Sequence, residues 1–168
     1  TVGDPRVFER LPQQKVKPAL ALSLHSTDAS LRRELLPRAP YFDPAKLVEL
    51  GEAYARLVDY PIQYQWTLLK GINDSQQEMD GIIRLLRGKF AIMNVIPYNS
   101  LDDDEFQRPE ADRIHQIMRY LHENGVLTKV RNSAGQDIDG GCGQLRARAE
   151  RVIRARQRPA ESPGLDAN

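Results

Sequence analysis

The feature that most constrains this chain is a regular alternation of short apolar stretches with longer amphipathic ones, most of them bounded by a recognisable start or stop. Ala19 to His25 (ALALSLH) is short and apolar, bounded by Pro18 and a Ser26-Thr27-Asp28 cluster. A buried parallel strand reads this way, because both of its faces are covered and no polar alternation is needed. Ile62 to Leu69 (IQYQWTLL), Ala91 to Ile96 (AIMNVI) and Val126 to Arg131 (VLTKVR) are three further predicted strands. Helices are expected between them. Ser26 or Thr27 can cap one that ends near Leu36, before Pro37. Asp43 followed by Pro44 is a strong helix start, a capping carboxylate and then proline at the first helical position. Leu47, Leu50, Tyr54, Leu57 and Val58 then share one face. Ser75 with Glu78 forms a capping box ahead of Met79, Ile82, Ile83 and Leu86, and Gly88 suits the stop. Pro109 opens a further predicted helix with Ile114, Ile117, Met118 and Leu121 inside, and Gly125 closes it.

This order argues for an α/β fold, a parallel sheet of about four strands with helices outside it and right-handed crossovers. Four strands make either a small open sheet or part of a (βα) barrel. In both, chemistry collects at the C-terminal ends of the strands. That rule singles out Ser23-Leu24-His25, the segment after Leu69, Pro97-Tyr98-Asn99 and the loop after Arg131. The barrel-like domain is expected over residues 1–156, including a polar, glycine-rich loop at 132–143 and a helix from Gln144. Residues 157–168 read as a disordered tail.

Composition narrows the function classes. The longest apolar runs, such as Ala19 to Leu22, fall far short of the ~20 residues of a membrane span. A soluble, cytoplasmic protein is the expectation, with no membrane partner. The chain opens on Thr1 without a basic-then-apolar leader, which suggests a processed chain or a fragment. The one cysteine, Cys142, cannot form an internal disulfide. A net charge of +1 does not announce a nucleic-acid binder, although six arginines crowd the stretch from Arg146 to Arg158. The acidic run Asp102 to Glu105 reads as a solvated loop rather than a cation site. His115 and His122 lie seven apart on one helix, which is not a metal-ligand spacing. Tyr64 and Trp66, within a strand, read as core.

His25 and Asn99 follow apolar strands where a bland protein would simply turn. Taken singly, His25 reads as a hydrogen-bonded structural residue and Asn99 as a turn residue. Asp137-Ile138-Asp139-Gly140-Gly141-Cys142-Gly143-Gln144 says more. Three glycines give the thiol a mobile or tightly turned backbone, and a following helix start would favour the nucleophilic thiolate. The alternative, a small buried cysteine, fits Gly and Asp neighbours badly.

IDGGCGQL at 138–145 resembles the cysteine-loop signature of the radical-SAM methyltransferases that modify an adenine in large-subunit ribosomal RNA (the RlmN/Cfr family). TVG at 1–3, ALSLH at 21–25, LLKGINDS at 68–75 and NVIPYN at 94–99 resemble four more of its segments, in order, over about residues 1–149. The resemblance implies a partial parallel barrel and S-adenosylmethionine (SAM) as cofactor. It places Ser23, Leu24 and His25 at SAM contacts and Asn99 at the amino-acid end of SAM. It places Cys142 at the cysteine that accepts a methyl from one SAM and passes a one-carbon unit to adenine, while a second SAM is cleaved reductively. RNA is the implied partner, large-subunit rRNA or tRNA, together with a reductant protein.

The departures from the family pattern are specific. The CxxxCxxC motif that holds a four-iron four-sulfur cluster is absent, so no metal ligand is assigned in this chain. The GE motif, a serine expected just before Thr1 and a second cysteine are also absent. All precede residue 1 in the family, which implies a C-terminal half, inactive alone. Gly140 and Gly141 stand where alanines are usual, and Ser100 where a proline is usual. Two alternatives stand beside this reading: a non-catalytic half-barrel that binds RNA or a protein partner, and a different radical-SAM reaction on the same scaffold.

Overall fold

The computed structural model describes residues 1–99 and 105–131, which lie in one unit, Thr1–Asn132. The expectations for the cysteine loop with Cys142, the helix after Gln144, the tail and Asp102 to Asp104 fall outside the described residues. Within them, four strands form one sheet: β1 (Ala21–Ser23), β2 (Ile62–Leu68), β3 (Ala91–Pro97) and β4 (Thr128–Val130). Every pairing is parallel and the order is β1-β2-β3-β4. Five α-helices accompany them, α1 (Pro5–Arg10), α2 (Ala29–Leu35), α3 (Pro44–Val58), α4 (Gln76–Leu86) and α5 (Ala111–Glu123), with a short 3-10 turn at Leu11–Gln13. The α/β alternation is therefore as the sequence predicts. None of the described helices is long and apolar enough to cross a membrane.

Sequential order decides between the two sheet forms left open above. A right-handed crossover to the next strand on the same side places each helix on the same face. A doubly wound sheet needs a reversal of strand order to use both faces. No reversal occurs here, so one face takes all the crossover helices, as in a barrel wall. The burial pattern agrees. Leu22, Leu24, Ile62, Tyr64, Trp66, Leu68, Met93 and Val95 are buried on the helix side together with Leu47, Tyr54, Met79, Ile82, Ile117 and Leu121. Tyr64 and Trp66 are core residues, with no exposed surface.

The local rules hold in most places and yield in a few. Asp43 caps α3 by accepting from the Ala45 and Lys46 N–H groups, with Pro44 next. Asp4 and Pro5 do the same for α1, a helix the same signature could have flagged. Pro109 does not open α5; the helix starts two residues later, with Glu110 at its N-cap. Leu57, predicted to face inward, is 54% exposed, because the buried face of α3 runs instead through Val48, Gly51 and Ala55. β1 is shorter than predicted, since the Leu24 and His25 N–H groups both turn onto the Gln65 carbonyl. Ser26 and Thr27 do not cap α2. Asp28 does, accepting from the Leu31 N–H.

Gly51 lets α3 lie against β2. A Cβ there would stand 2.5 Å from Tyr64 Oη and 2.7 Å from Ile62 Cδ1. Both neighbours are almost wholly buried and have nowhere to retreat. Gly51→Ala should therefore lower stability by about 1–3 kcal/mol, despite the ~1 kcal/mol that alanine gains in a helix. Urea denaturation checks this; an unchanged or raised midpoint would contradict the close approach.

Candidate functional site

The C-terminal ends of β1, β2 and β3 open on a cleft of about 380 Å³. His25, Thr67, Leu69, Tyr98, Phe106 and residues 34–37 line it. The volume suits a small organic ligand. Tyr98 and Phe106 meet edge to face, with ring centroids 5.9 Å apart.

His25 sits in this cleft because of how β1 ends. The Ser26 N–H donates to the Leu24 carbonyl at 2.8 Å, closing a three-residue turn around His25. His25 then has φ +58°, a region that costs a non-glycine residue on the order of 1 kcal/mol. Two groups hold it there. The Thr67 N–H donates to His25 Nδ1 at 2.9 Å. Asn73, fully buried, donates through Nδ2 to the His25 carbonyl at 2.8 Å and the Thr67 carbonyl at 2.9 Å. Its Oδ1 accepts from the Leu69 N–H at 2.8 Å. One carboxamide thus ties the loop after β1 to the loop after β2.

The chemical consequence lies in the tautomer. An Nδ1 that accepts from a backbone N–H carries no proton, so the neutral ring carries its proton on Nε2. Burial, reinforced by the Arg32 charge, lowers the His25 pKa from 6.5 to about 4. At neutral pH the side chain is an uncharged donor, with neither a free Nδ1 lone pair for base catalysis nor a positive charge.

The loop after β1 has a second anchor. Glu78 accepts from Ser26 Oγ, from the Thr27 N–H at 2.8 Å and from Thr27 Oγ1 at 2.6 Å. The capping box expected at Ser75 is therefore half made. Ser75 Oγ accepts from the Glu78 N–H at 3.3 Å, but the carboxylate serves the other loop instead of returning to Ser75. On the far side of β1, the Thr1 amino group donates to the Ala21 carbonyl, and the Ser23 N–H donates to the Thr1 carbonyl. That is parallel-strand bonding, so Thr1 extends the sheet beside β1. Arg32 Nη2 bonds the carbonyls of Val2 at 2.7 Å and Ser23 at 3.0 Å. A Cβ on Gly3, which has φ +90°, would come 2.9 Å from that guanidinium.

The sites predicted from sequence divide accordingly. His25 lines the cleft, and Tyr98, the neighbour of Asn99, faces it across β2. Asn99 follows β3, so it and His25 share one end of the sheet but not adjacent strands. Ser23 is half-buried at the end of β1. Leu24 is buried in the helix-side core, which leaves its backbone as the part near the cleft. Cys142 lies outside the described residues. Sequence reasoning missed Thr67, Asn73, Arg32 and Glu78. The Ile72-Asn73-Asp74 segment lay inside a motif already noted, but nothing local marks which of its polar side chains turns inward.

No family model matches the chain. It is 77% identical over 159 residues to a probable RNA methyltransferase of Stutzerimonas stutzeri, a match covering 95% of this chain and 46% of that protein. It is 73% identical over 160 residues to a probable RNA methyltransferase of Pseudomonas aeruginosa, again 95% and 46%. The chain thus spans about half the length of the curated relatives it matches. Among solved structures it resembles a radical SAM methyltransferase from Sphaerobacter thermophilus, with TM-score 0.79, 31% identity, and coverage of 86% of this chain and 42% of that one.

Two outcomes follow from the His25 geometry. Its folded pKa lies below its unfolded value, so the stability due to a neutral His25 is complete above about pH 6.5 and is lost as pH falls toward 4. The full loss is on the order of 3 kcal/mol. Urea unfolding at pH 7 and pH 4.5 should show a smaller acid loss in His25→Gln than in the wild type; equal losses would contradict the burial of a neutral ring. Asn73→Asp keeps the acceptor for Leu69 but sets carboxylate oxygen against two carbonyls. It should cost about 2 kcal/mol or more and abolish the single Nε2–H tautomer seen in ring ¹⁵N shifts. A wild-type shift pattern in that variant would show that Asn73 does not position His25.

Proposed function

We propose that this chain is part of an RNA adenine methyltransferase that uses SAM and radical chemistry, with Cys142 as the methyl carrier. The observation that carries the reading is the cleft at the C-terminal strand ends, lined by an uncharged His25 donor and approached by the ends of three parallel strands. The similarity to RNA methyltransferases and to a radical SAM methyltransferase supports it.

The described residues fit SAM. Ser23 and His25 offer hydroxyl and imidazole donors to ribose or carboxylate oxygens, and Asn99 stands at the same end of the sheet. Tyr98 and Phe106 give the cleft an apolar wall. When bound, SAM supplies the methyl group and the radical-forming capacity. His25 orients the ligand without competing for a proton, and the clamp of Asn73 and Thr67 keeps that donor fixed. Cys142 would offer a thiolate to accept the methyl, from a loop whose glycines allow it to reach first cofactor and then RNA base.

The chain does not fit a four-iron four-sulfur cluster. Such a cluster needs several thiolates and this sequence has one cysteine. In our reading the cluster ligands belong to the part of the relatives that this chain does not span, so activity belongs to a full-length protein of the relatives' size. Large-subunit rRNA is the proposed substrate, tRNA a second choice, with a reductant protein as partner and the cytoplasm as location.

In that full-length protein, Cys142→Ala should abolish RNA methylation while SAM affinity changes less than about threefold (under ~0.7 kcal/mol). The wild-type Cys142 peptide should carry about 14 Da extra, one methylene on the side chain, by mass spectrometry. Methylation of RNA by the alanine variant would rule out Cys142 as carrier.

A further inference from the structure

The sheet face opposite the helices is polar in a way that a packed wall is not. Parallel register lines up Ser23, Gln65, Asn94 and Lys129 in one row, one residue from each strand. Gln63 lies one step earlier on the same face, and Thr67 one step later, where it joins the His25 cleft. Both faces of a parallel sheet normally carry Val, Ile and Leu, because a buried carboxamide without partners costs on the order of 1–3 kcal/mol. Three carboxamides and a serine on one face therefore require something polar above them.

The bonding within the row is incomplete in an informative way. Asn94, 2% exposed, donates through Nδ2 to Gln63 Oε1 at 3.2 Å. Gln65 Nε2 makes one long contact, 3.4 Å, to the Gln63 carbonyl. Among the described residues nothing donates to Gln65 Oε1, and Ser23 Oγ has no partner. The Gln63 carbonyl also sets the orientation of the Gln65 amide, because a flip would bring two oxygens together. Gln65 is left with one N–H and Oε1 side by side.

We propose that this row is a nucleobase-reading floor in which Gln65 pairs with an adenine edge, flanked by Ser23 and Asn94. A side-by-side donor and acceptor complements an amino group next to an unprotonated ring nitrogen, as adenine presents. Hypoxanthine reverses that pattern. A phosphate or carboxylate would call for cations, and the row offers only Lys129, at the exposed edge. The proposal rests on the SAM and RNA reading above for its occupant, since both of those ligands carry adenine.

The test uses the full-length protein with adenosine and inosine as free probes, followed by NMR titration. Wild type should bind adenosine at least tenfold more tightly than inosine. Gln65→Glu, which offers two acceptors and no donor, should lose at least tenfold for adenosine and with it the preference over inosine, since either base then meets one matched and one opposed group. Gln65→Met, matched in size, should lose discrimination while its thermal midpoint stays near wild type, which separates recognition from folding. SAM affinity then assigns the source. A tenfold loss in both variants places the cofactor's adenine on the floor. Unchanged SAM affinity, with a tenfold loss in methylation of RNA carrying the target adenine, places the RNA base there. Equal binding of adenosine and inosine by wild type, or unchanged discrimination in both variants, overturns the proposal. A wild type that discriminates adenosine yet binds no SAM would sink the function proposed above and leave the floor standing.

Discussion

One constraint organises this molecule: consecutive strands joined by crossovers of one hand. It forces the helices onto a single face and leaves the other face without a covering layer from these residues. The two faces then carry different chemistry along the same strands. In β2, Ile62, Tyr64, Trp66 and Leu68 are buried toward the helices, while Gln63, Gln65 and Thr67 alternate with them on the other side. An open doubly wound sheet could not tolerate the second set, because a second helical layer would have to bury it. The composition of β2 is thus a record of topology, and the C-terminal ends of the strands inherit the cleft.

The cleft in turn depends on long-range hydrogen bonds rather than on the strands alone. β1 is only three residues long, and its exit would be mobile if unsupported. Asn73 and Glu78, both contributed by the β2–α4 connection or the first turn of α4, hold that exit at two consecutive points. The positive φ of His25 persists because these partners over-determine it. Rigidity at this place has a functional meaning: a donor fixed before the ligand arrives need not be ordered when it binds.

The division between what was readable and what was not follows the same physics. The Asp43-Pro44 start, the extent of β2 and the apolar face of α4 are local, and each appears where the residues predict. So does the position of His25 at a strand end. The roles of Ser26 and Thr27 were misjudged because their partner, Glu78, lies about fifty residues away, and a local cap competes with a distant carboxylate only in three dimensions. Nothing local in the sequence marks Arg32, yet it is 2% exposed. Leu57 reads as core and is not, since a helix packed on a twisted sheet chooses its buried stripe by fit to β2 rather than by apolar count.

Arg32 also bears on the electrostatics of the site. Among the described residues no carboxylate pairs with it, and its acceptors are the carbonyls of Val2 and Ser23. Two backbone dipoles satisfy part of the guanidinium but leave its net charge uncancelled, and burial lowers its pKa accordingly. Such a charge is costly to bury. Its field reaches His25, where it adds to burial in keeping the ring neutral. Arg32 Nη2 also reaches the end of β1 through the Ser23 carbonyl. A neutral donor and a buried positive charge thus meet at the exit of β1. That arrangement suits a site whose chemistry is carried by a cofactor, where the protein's part is to orient and to exclude side reactions.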